Sequence, residues 1–306
     1  MQTLITIAPI FILIALGWVA AHRGFLPDEV LNPLNRLIYY FAIPAFLFHA
    51  ISNFPLAQGF NIQVTLTTLG AAFLMYVSGW LFSKVACIPG DRAGVLIQGA
   101  CHGNLGYIGL PVAFYFLGST GLAQAGIISG FLMILQNVMS VSILQSFSSR
   151  TSTEKQSGPL VKLLQNPVIV SSMAGIIASG LELPIPEVID RTLKMLGQLA
   201  PPAALLLIGA SLSFKTLRSR KIEIAGAVSV KLILLPAFGL LLFTLLGVAP
   251  ESYLPAFILL CTPTATVAYV MARQMHGDLD IAVTIISVST LLSAITLPLW
   301  LALLHI

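Results

Sequence analysis

Apolar residues run in long stretches along this chain, and polar residues gather in short gaps between them. A helix needs about 20 apolar residues to cross a bilayer. Ten stretches reach or approach that length: 3–21, 29–52, 61–83, 93–117, 119–147, 162–180, 188–213, 222–247, 252–274 and 279–304. The pattern predicts an all-α, polytopic membrane protein with ten transmembrane helices and no soluble domain. The longest polar stretch, Ser148 to Pro159, reads as a short linker. No basic segment precedes the first stretch, which therefore reads as a retained helix and not as a removable signal peptide.

Two stretches, one in each half, are interrupted. The fourth carries Gly103-Asn104-Leu105-Gly106-Tyr107-Ile108-Gly109-Leu110-Pro111, and the ninth carries Cys261-Thr262-Pro263-Thr264-Ala265-Thr266. Such residues free backbone polar groups that lipid cannot satisfy, so a break at membrane depth must pack in protein or line a wet cavity. Matched breaks in the two halves of a membrane chain point to a transporter's substrate site.

Five stretches lie on either side of the linker. This predicts two five-helix repeats, 1–147 and 161–306, joined by a cytoplasmic linker at 148–160, with the second repeat inverted by the odd count. Asn35-Arg36-Leu37 leading to Pro44 has a counterpart in Asp190-Arg191-Thr192 leading to Pro201-Pro202, and Pro111 has one in Pro263. Broken helices four and nine would then cross at the midplane. Their second halves would present unpaired N–H groups with positive partial charge, suited to a carboxylate. Hydroxyls at Thr262, Thr264 and Thr266 can supplement those groups.

Composition removes the soluble alternative. Hydrophobic residues make up 57% and charged residues 8%, where a soluble domain carries about 25% charged. Mean hydropathy is +0.96. Twelve of the fifteen Lys and Arg residues lie in or beside the odd-numbered loops: Arg23, Arg36, Lys84, Arg92, Arg150, Lys155, Lys162, Lys215, Arg218, Arg220, Lys221 and Arg273. The positive-inside rule places those loops in the cytoplasm and both termini outside. The pI of about 9.1 follows from this bias. With no basic patch interleaved with aromatics on a soluble face, it does not point to nucleic acid.

Lys231 is the most informative single residue. It sits nine or ten residues into the eighth stretch, roughly 13 Å deep at about 1.5 Å per residue. An ionisable residue at such depth is a functional candidate by default. Three partners are open to it: carbonyl ends of the broken helices, an anionic substrate, or none, with the amine neutral. All eleven acidic residues lie near stretch ends or in loops, which argues against a cation-coupled symporter relying on a buried carboxylate. Asn104 and the Gln136-Asn137 pair are candidate site residues. Gln98 reads as a helix-gluing amide and His102 as structural. Tyr107, within the first break, could hydrogen-bond or pack. Asp278 and Asp280 read as a solvated loop. Cys87, Cys101 and Cys261 show no CxxC pair and no metal spacing, so no metal or cofactor is expected. No HExxH, GxSxG or phosphate-binding glycine loop is present, and the chain does not read as an enzyme.

These residues resemble the auxin efflux carrier family, which includes plant exporters and bacterial permeases of malonate or malate type. Asn104 to Pro111 is similar to that family's Asn-x-x-x-x-Gly-x-Pro crossover, and Leu135-Gln136-Asn137 to a Leu-Gln pair lining its site. Asn166-Pro167 opens the sixth stretch in the same way. Lys231, five residues before Pro236, aligns with a basic residue, with Leu235 where plant members have glycine. Pro263 through Met271-Ala272-Arg273 resembles the second crossover, and Asp280 to Pro298 a bacterial ending. The likeness covers essentially the whole chain. It implies a fold like that of sodium/proton antiporters, with helices 1, 2, 6 and 7 as scaffold and helices 3–5 and 8–10 as an elevator-type transport domain. It also implies pairing of two copies. Thr264 and Thr266 replace residues found in plant exporters, which speaks against auxin as the substrate, and the short linker fits a bacterial permease.

The expected function is secondary transport of a small organic anion, a mono- or dicarboxylate, across a bacterial inner membrane. The candidate substrate-binding residues are Asn104, Tyr107, Pro111, Gln136, Asn137, Lys231, Thr262, Pro263, Thr264 and Thr266. The rivals are a sodium-coupled symporter of bile-acid type and a non-transporting membrane sensor on the same fold.

Overall fold

The computed structural model describes residues 2–55, 60–86, 88–147, 166–212 and 220–304. The expected linker at 148–160, Cys87, and the basic residues Arg150, Lys155, Lys162, Lys215 and Arg218 lie outside those residues.

The described chain is helical, and its one strand-like feature is an isolated bridge between Gly103 and Thr264. The helices are α1 (Gln2–His22), α2 (Asp28–Leu37), α3 (Ile43–Ser52), α4 (Ile62–Val85), α5 (Gly90–Cys101), α6 (Leu110–Phe147), α7 (Pro167–Gly180), α8 (Glu187–Gln198), α9 (Ala200–Ala210), α10 (Lys221–Ser229), α11 (Leu235–Leu245), α12 (Pro250–Leu260), α13 (Val267–Gln274) and α14 (Leu279–Leu303). Among the described residues, six segments, three of them passing through a wide turn, are long and apolar enough to cross a membrane: Glu29–Ser52, Ile62–Val85, Leu105–Phe147, Glu187–Ala210, Lys221–Leu245 and Leu279–Leu303. Two shorter apolar helices cover Ala8–His22 and Pro167–Gly180. The chain is a multi-pass membrane protein. The long α6 is interrupted at Gly118, whose φ of 73° only glycine adopts freely. This falls where the apolar pattern separates the fourth stretch from the fifth.

Three π-helical turns, at Ile38–Ala42, Leu105–Gly109 and Val230–Leu234, each end two residues before a proline: Pro44, Pro111 and Pro236. A proline ring has no N–H and collides with the carbonyl four residues back. Widening the preceding turn moves that carbonyl aside and lets the helix continue. At Pro236 the carbonyl in question belongs to Leu232, and the Trp300 indole N–H donates to it at 2.8 Å.

The contacts sort the chain into two compact units. One comprises Met1–Ile62, Leu105–Phe131 and Gly158–Ser211; the other comprises Gln63–Asn104, Leu132–Ser157 and Leu212–Ile306. In the first, α1 packs on α9 so closely that a Cβ at Gly17 would lie 2.1 Å from Leu206 O, and one at Gly209 would lie 1.9 Å from Ile14 O. Small residues let membrane helices approach in this way. In the same unit α3 meets α8, with Asp190 accepting from Asn53 Nδ2 at 3.0 Å and pairing with His49 at 3.3 Å. In the second unit Tyr76, Ile97, Val228, Leu232 and Ile285 share one buried apolar cluster. There Glu223 pairs with Arg92 at 3.1 Å and Arg220 at 3.6 Å. Asp278, expected in a solvated loop, also caps α14. Its Oδ1 accepts from the Ile281 N–H at 3.0 Å, and Asp280 falls in the first helical turn, where the helix end is positive.

Candidate functional site

Both breaks fall in the second unit, the first at 102–104 and so shorter than the expected 103–111, whose remainder from Leu105 is helical. Helix α5 ends at Cys101 and α12 ends at Leu260; helix resumes at Leu105 and at Val267. The two extended pieces lie antiparallel and bond to each other. The Asn104 N–H donates to Pro263 O at 2.8 Å, and the Ala265 N–H donates to His102 O at 2.9 Å, either side of the facing Gly103 and Thr264. This is the non-hydrogen-bonded type of antiparallel pair, in which the two Cα atoms come closest, at about 4.5 Å. Glycine on one side leaves room for that approach.

Each half-helix that ends here strands carbonyls at its C-terminus. Side chains meet them, three from distant parts of the chain and one, Thr262, from the break itself. On α5, Gly99 O accepts from the Thr264 hydroxyl at 2.6 Å, and Cys101 O accepts from Gln136 Nε2 at 3.5 Å. On α12, Leu259 O accepts from the Thr262 hydroxyl at 2.7 Å, and Leu260 O accepts from Lys231 Nζ at 3.1 Å. Of the three partners open to Lys231, the structure supplies the carbonyl end of a broken helix. Lys231 has no exposed surface. Its place follows from the π turn that Pro236 requires. A cation at a helix C-terminus complements the dipole there, and Cys101, the last residue of α5, and Cys261, just after α12, are electrostatic neighbours of Lys231. The Thr264 N–H donates to Ser289 Oγ at 3.1 Å, which ties the second break to α14.

Eight of the ten expected site residues thus belong to one unit: Asn104, Gln136, Asn137, Lys231, Thr262, Pro263, Thr264 and Thr266. Tyr107 and Pro111 belong to the other, where the Tyr107 hydroxyl donates to Asn35 Oδ1 at 2.6 Å and Pro111 is buried. Within the eight the roles divide. The hydrogens of Thr262 and Thr264 are committed to helix carbonyls. Asn137 and Thr266, both half-buried, have side chains without a hydrogen-bond partner among the described residues, and so has the buried Gln136 Oε1. A cluster of polar groups that composition did not single out completes the site. Tyr76 Oη lies 2.9 Å from Ser140 Oγ, which lies 2.9 Å from His102 Nδ1, and all three residues are buried. Ser140 sits four residues after Gln136 on one face of α6, a spacing that could have marked it. Nothing in the apolar sequence around Tyr76 marks that residue. Gln98 donates to Met271 Sδ at 3.3 Å, as a helix-gluing amide would.

Long apolar helices, a paired backbone break and a lysine sealed beside it define a membrane transporter. The chain belongs to the family of membrane transport proteins, whose profile matches residues 3–301. It is 28% identical over 301 residues to a protein of Rhizobium meliloti named "Putative malonate transporter", covering 95% of this chain and 92% of that one. It is 24% identical over 302 residues to an "Uncharacterized transporter" of Methanothermobacter thermautotrophicus, covering 96% of each. It is 23% identical over 308 residues to the "Uncharacterized transporter YfdV" of Escherichia coli K12, covering 95% and 94%.

Proposed function

We propose that this transporter carries small organic anions, mono- or dicarboxylates, by elevator-type alternating access, with substrate held where the two breaks meet. The observation that carries this reading is Lys231 Nζ bonded to the Leu260 carbonyl beside two hydrogen-bonded helix breaks. An ammonium has three donor hydrogens, and its charge acts over distance in a low-dielectric interior without direct contact. The amides that open α13 offer a carboxylate the positive end of a helix. The free groups of Asn137 and Thr266 and the amide of Gln136 would orient it, with Asn104 and Pro263 fixing the backbone. Tyr107 and Pro111 shape the second half of the same broken span. The malonate named for the Rhizobium relative supports a short dicarboxylate as substrate.

The reading extends to topology. The ten apolar stretches form ten crossings in a 5+5 inverted repeat, 1–147 and 161–306, with both termini outside an inner membrane. Helices 1, 2, 6 and 7 form the scaffold, helices 3–5 and 8–10 move, and two copies associate. What supports this is the positive charge of the odd loops and the odd number of stretches in each half.

Flux of labelled malonate by purified protein in liposomes tests the function. The expected result is saturable flux without sodium, reduced at least tenfold in Lys231→Ala while that variant still inserts and stays monodisperse. Flux that requires sodium would favour a symporter, and absence of any carboxylate flux would favour a sensor.

A further inference from the structure

His102 is placed to do more than hold the break. Its backbone carbonyl is part of the pairing between breaks, and its ring is buried but for 4% of the residue's surface. Nδ1 is held by Ser140 Oγ, and Nε2 meets no hydrogen-bonding partner among the described residues. The chain behind it, Tyr76 Oη to Ser140 Oγ to His102 Nδ1, can run in either direction. With Nδ1 as acceptor, Tyr76 donates to Ser140 and Ser140 to the ring. With Nδ1–H as donor, the ring donates to Ser140, Ser140 to Tyr76, and Tyr76 to Gln136 O, which lies 3.5 Å from its hydroxyl. Both hydroxyls turn without any heavy atom moving, so the ring is supported in both neutral tautomers and in its doubly protonated form.

Charge gives this device a use. Lys231 is within electrostatic reach of the ring. Among the described residues, the other ionisable side chains around the pair are Tyr76 on α4, Cys101 on α5 and Cys261 after α12. None of these is a carboxylate. One fixed ammonium balances one carboxylate, and a dicarboxylate leaves one negative charge over in a water-poor interior, which is costly.

We propose that His102 Nε2 takes up one proton when a dicarboxylate binds, making the transport of dicarboxylates, and not that of monocarboxylates, proton-coupled. The proton comes from water on the side that substrate enters. It sits on Nε2 while Nδ1–H donates into the Ser140–Tyr76 chain, and it leaves with the substrate. The inference rests on the anion reading above. By linkage, dicarboxylate affinity rises as pH falls over the range where the free acid remains doubly ionised.

Titration calorimetry on the detergent-purified full chain tests this, with malonate and butyrate as probes in two buffers of different ionisation enthalpy near neutral pH. The expected result is uptake of about one proton per malonate and none per butyrate. His102→Gln, which keeps an amide near the Nε2 position but takes no proton, should bind malonate more weakly and with no proton uptake. Ser140→Ala cuts the chain without touching the ring and should shift the pH range of the uptake. Malonate binding with no proton uptake by the wild type, or uptake unchanged in His102→Gln, overturns this inference and leaves the anion reading standing. Binding of neither probe overturns both.

Discussion

The two compact units hold their helices together by different means. Where α1 meets α9, backbone touches backbone, and Gly17 and Gly209 are the residues that allow it. Around the two breaks the contact is made of hydrogen bonds, backbone to backbone between the extended pieces and from Thr264, Gln136 and Lys231 to stranded carbonyls. In lipid no hydrophobic force draws helices together, so close packing and interhelical hydrogen bonds carry association. The first means produces a seam that admits no added atom. The second places polar groups in the interior, some of which remain free for a ligand.

The largest effect should come from breaking the close-packed seam. Gly209→Ala places a methyl 1.9 Å from the Ile14 carbonyl oxygen, a backbone atom that cannot rotate away. Overpacking against fixed structure costs about 3 kcal/mol or more. Thermal unfolding in detergent should show a midpoint lowered by roughly 10 °C, or no monodisperse protein at all. Unchanged melting would mean that α1 and α9 part more easily than their contact implies.

A smaller effect is expected at the hydrogen-bonded break. Thr264→Val keeps the shape but leaves the buried Gly99 carbonyl without its 2.6 Å donor. A loss of about 1–3 kcal/mol follows, and Thr264→Ser should recover most of it. Equal stability of the valine and serine variants would show that packing, not the hydroxyl, holds the two breaks together.

The smallest effect sharpens the contrast. Gly226 lies inside α10 with open space where a Cβ would sit. Gly226→Ala should raise stability slightly, by up to about 1 kcal/mol, because alanine favours helix. The same substitution therefore changes sign between Gly209 and Gly226, and a melting curve for each reads that difference directly.

Much of the architecture was legible along the chain because it is local. Apolar runs mark the long helices, and the glycine, proline and threonine clusters at 103–111 and 261–266 mark both breaks. Gly118 divides α6 for a reason visible in one residue. Asp278 lies in a loop, as its composition suggests, and only the 3.0 Å contact from Ile281 N–H shows that it also caps α14. Tyr107 lies inside the span of the first break, and the chain order does not reveal that its hydroxyl donates to Asn35. Ser140 and Tyr76 went unmarked because a serine and a tyrosine among apolar residues are common in buried helices.

The sequence alone determined that carbonyls would be stranded at two places, since the residues around Gly103 and Pro263 disfavour continuous helix. It also placed Lys231 deep in an apolar stretch and left its partner open. Only the tertiary structure decided which donor answers which carbonyl. Lys231 and Leu260 are 29 residues apart, and Thr264 and Gly99 are 165 apart. A helix break is created by neighbours along the chain, but its lost hydrogen bonds are restored by whatever the packing brings alongside.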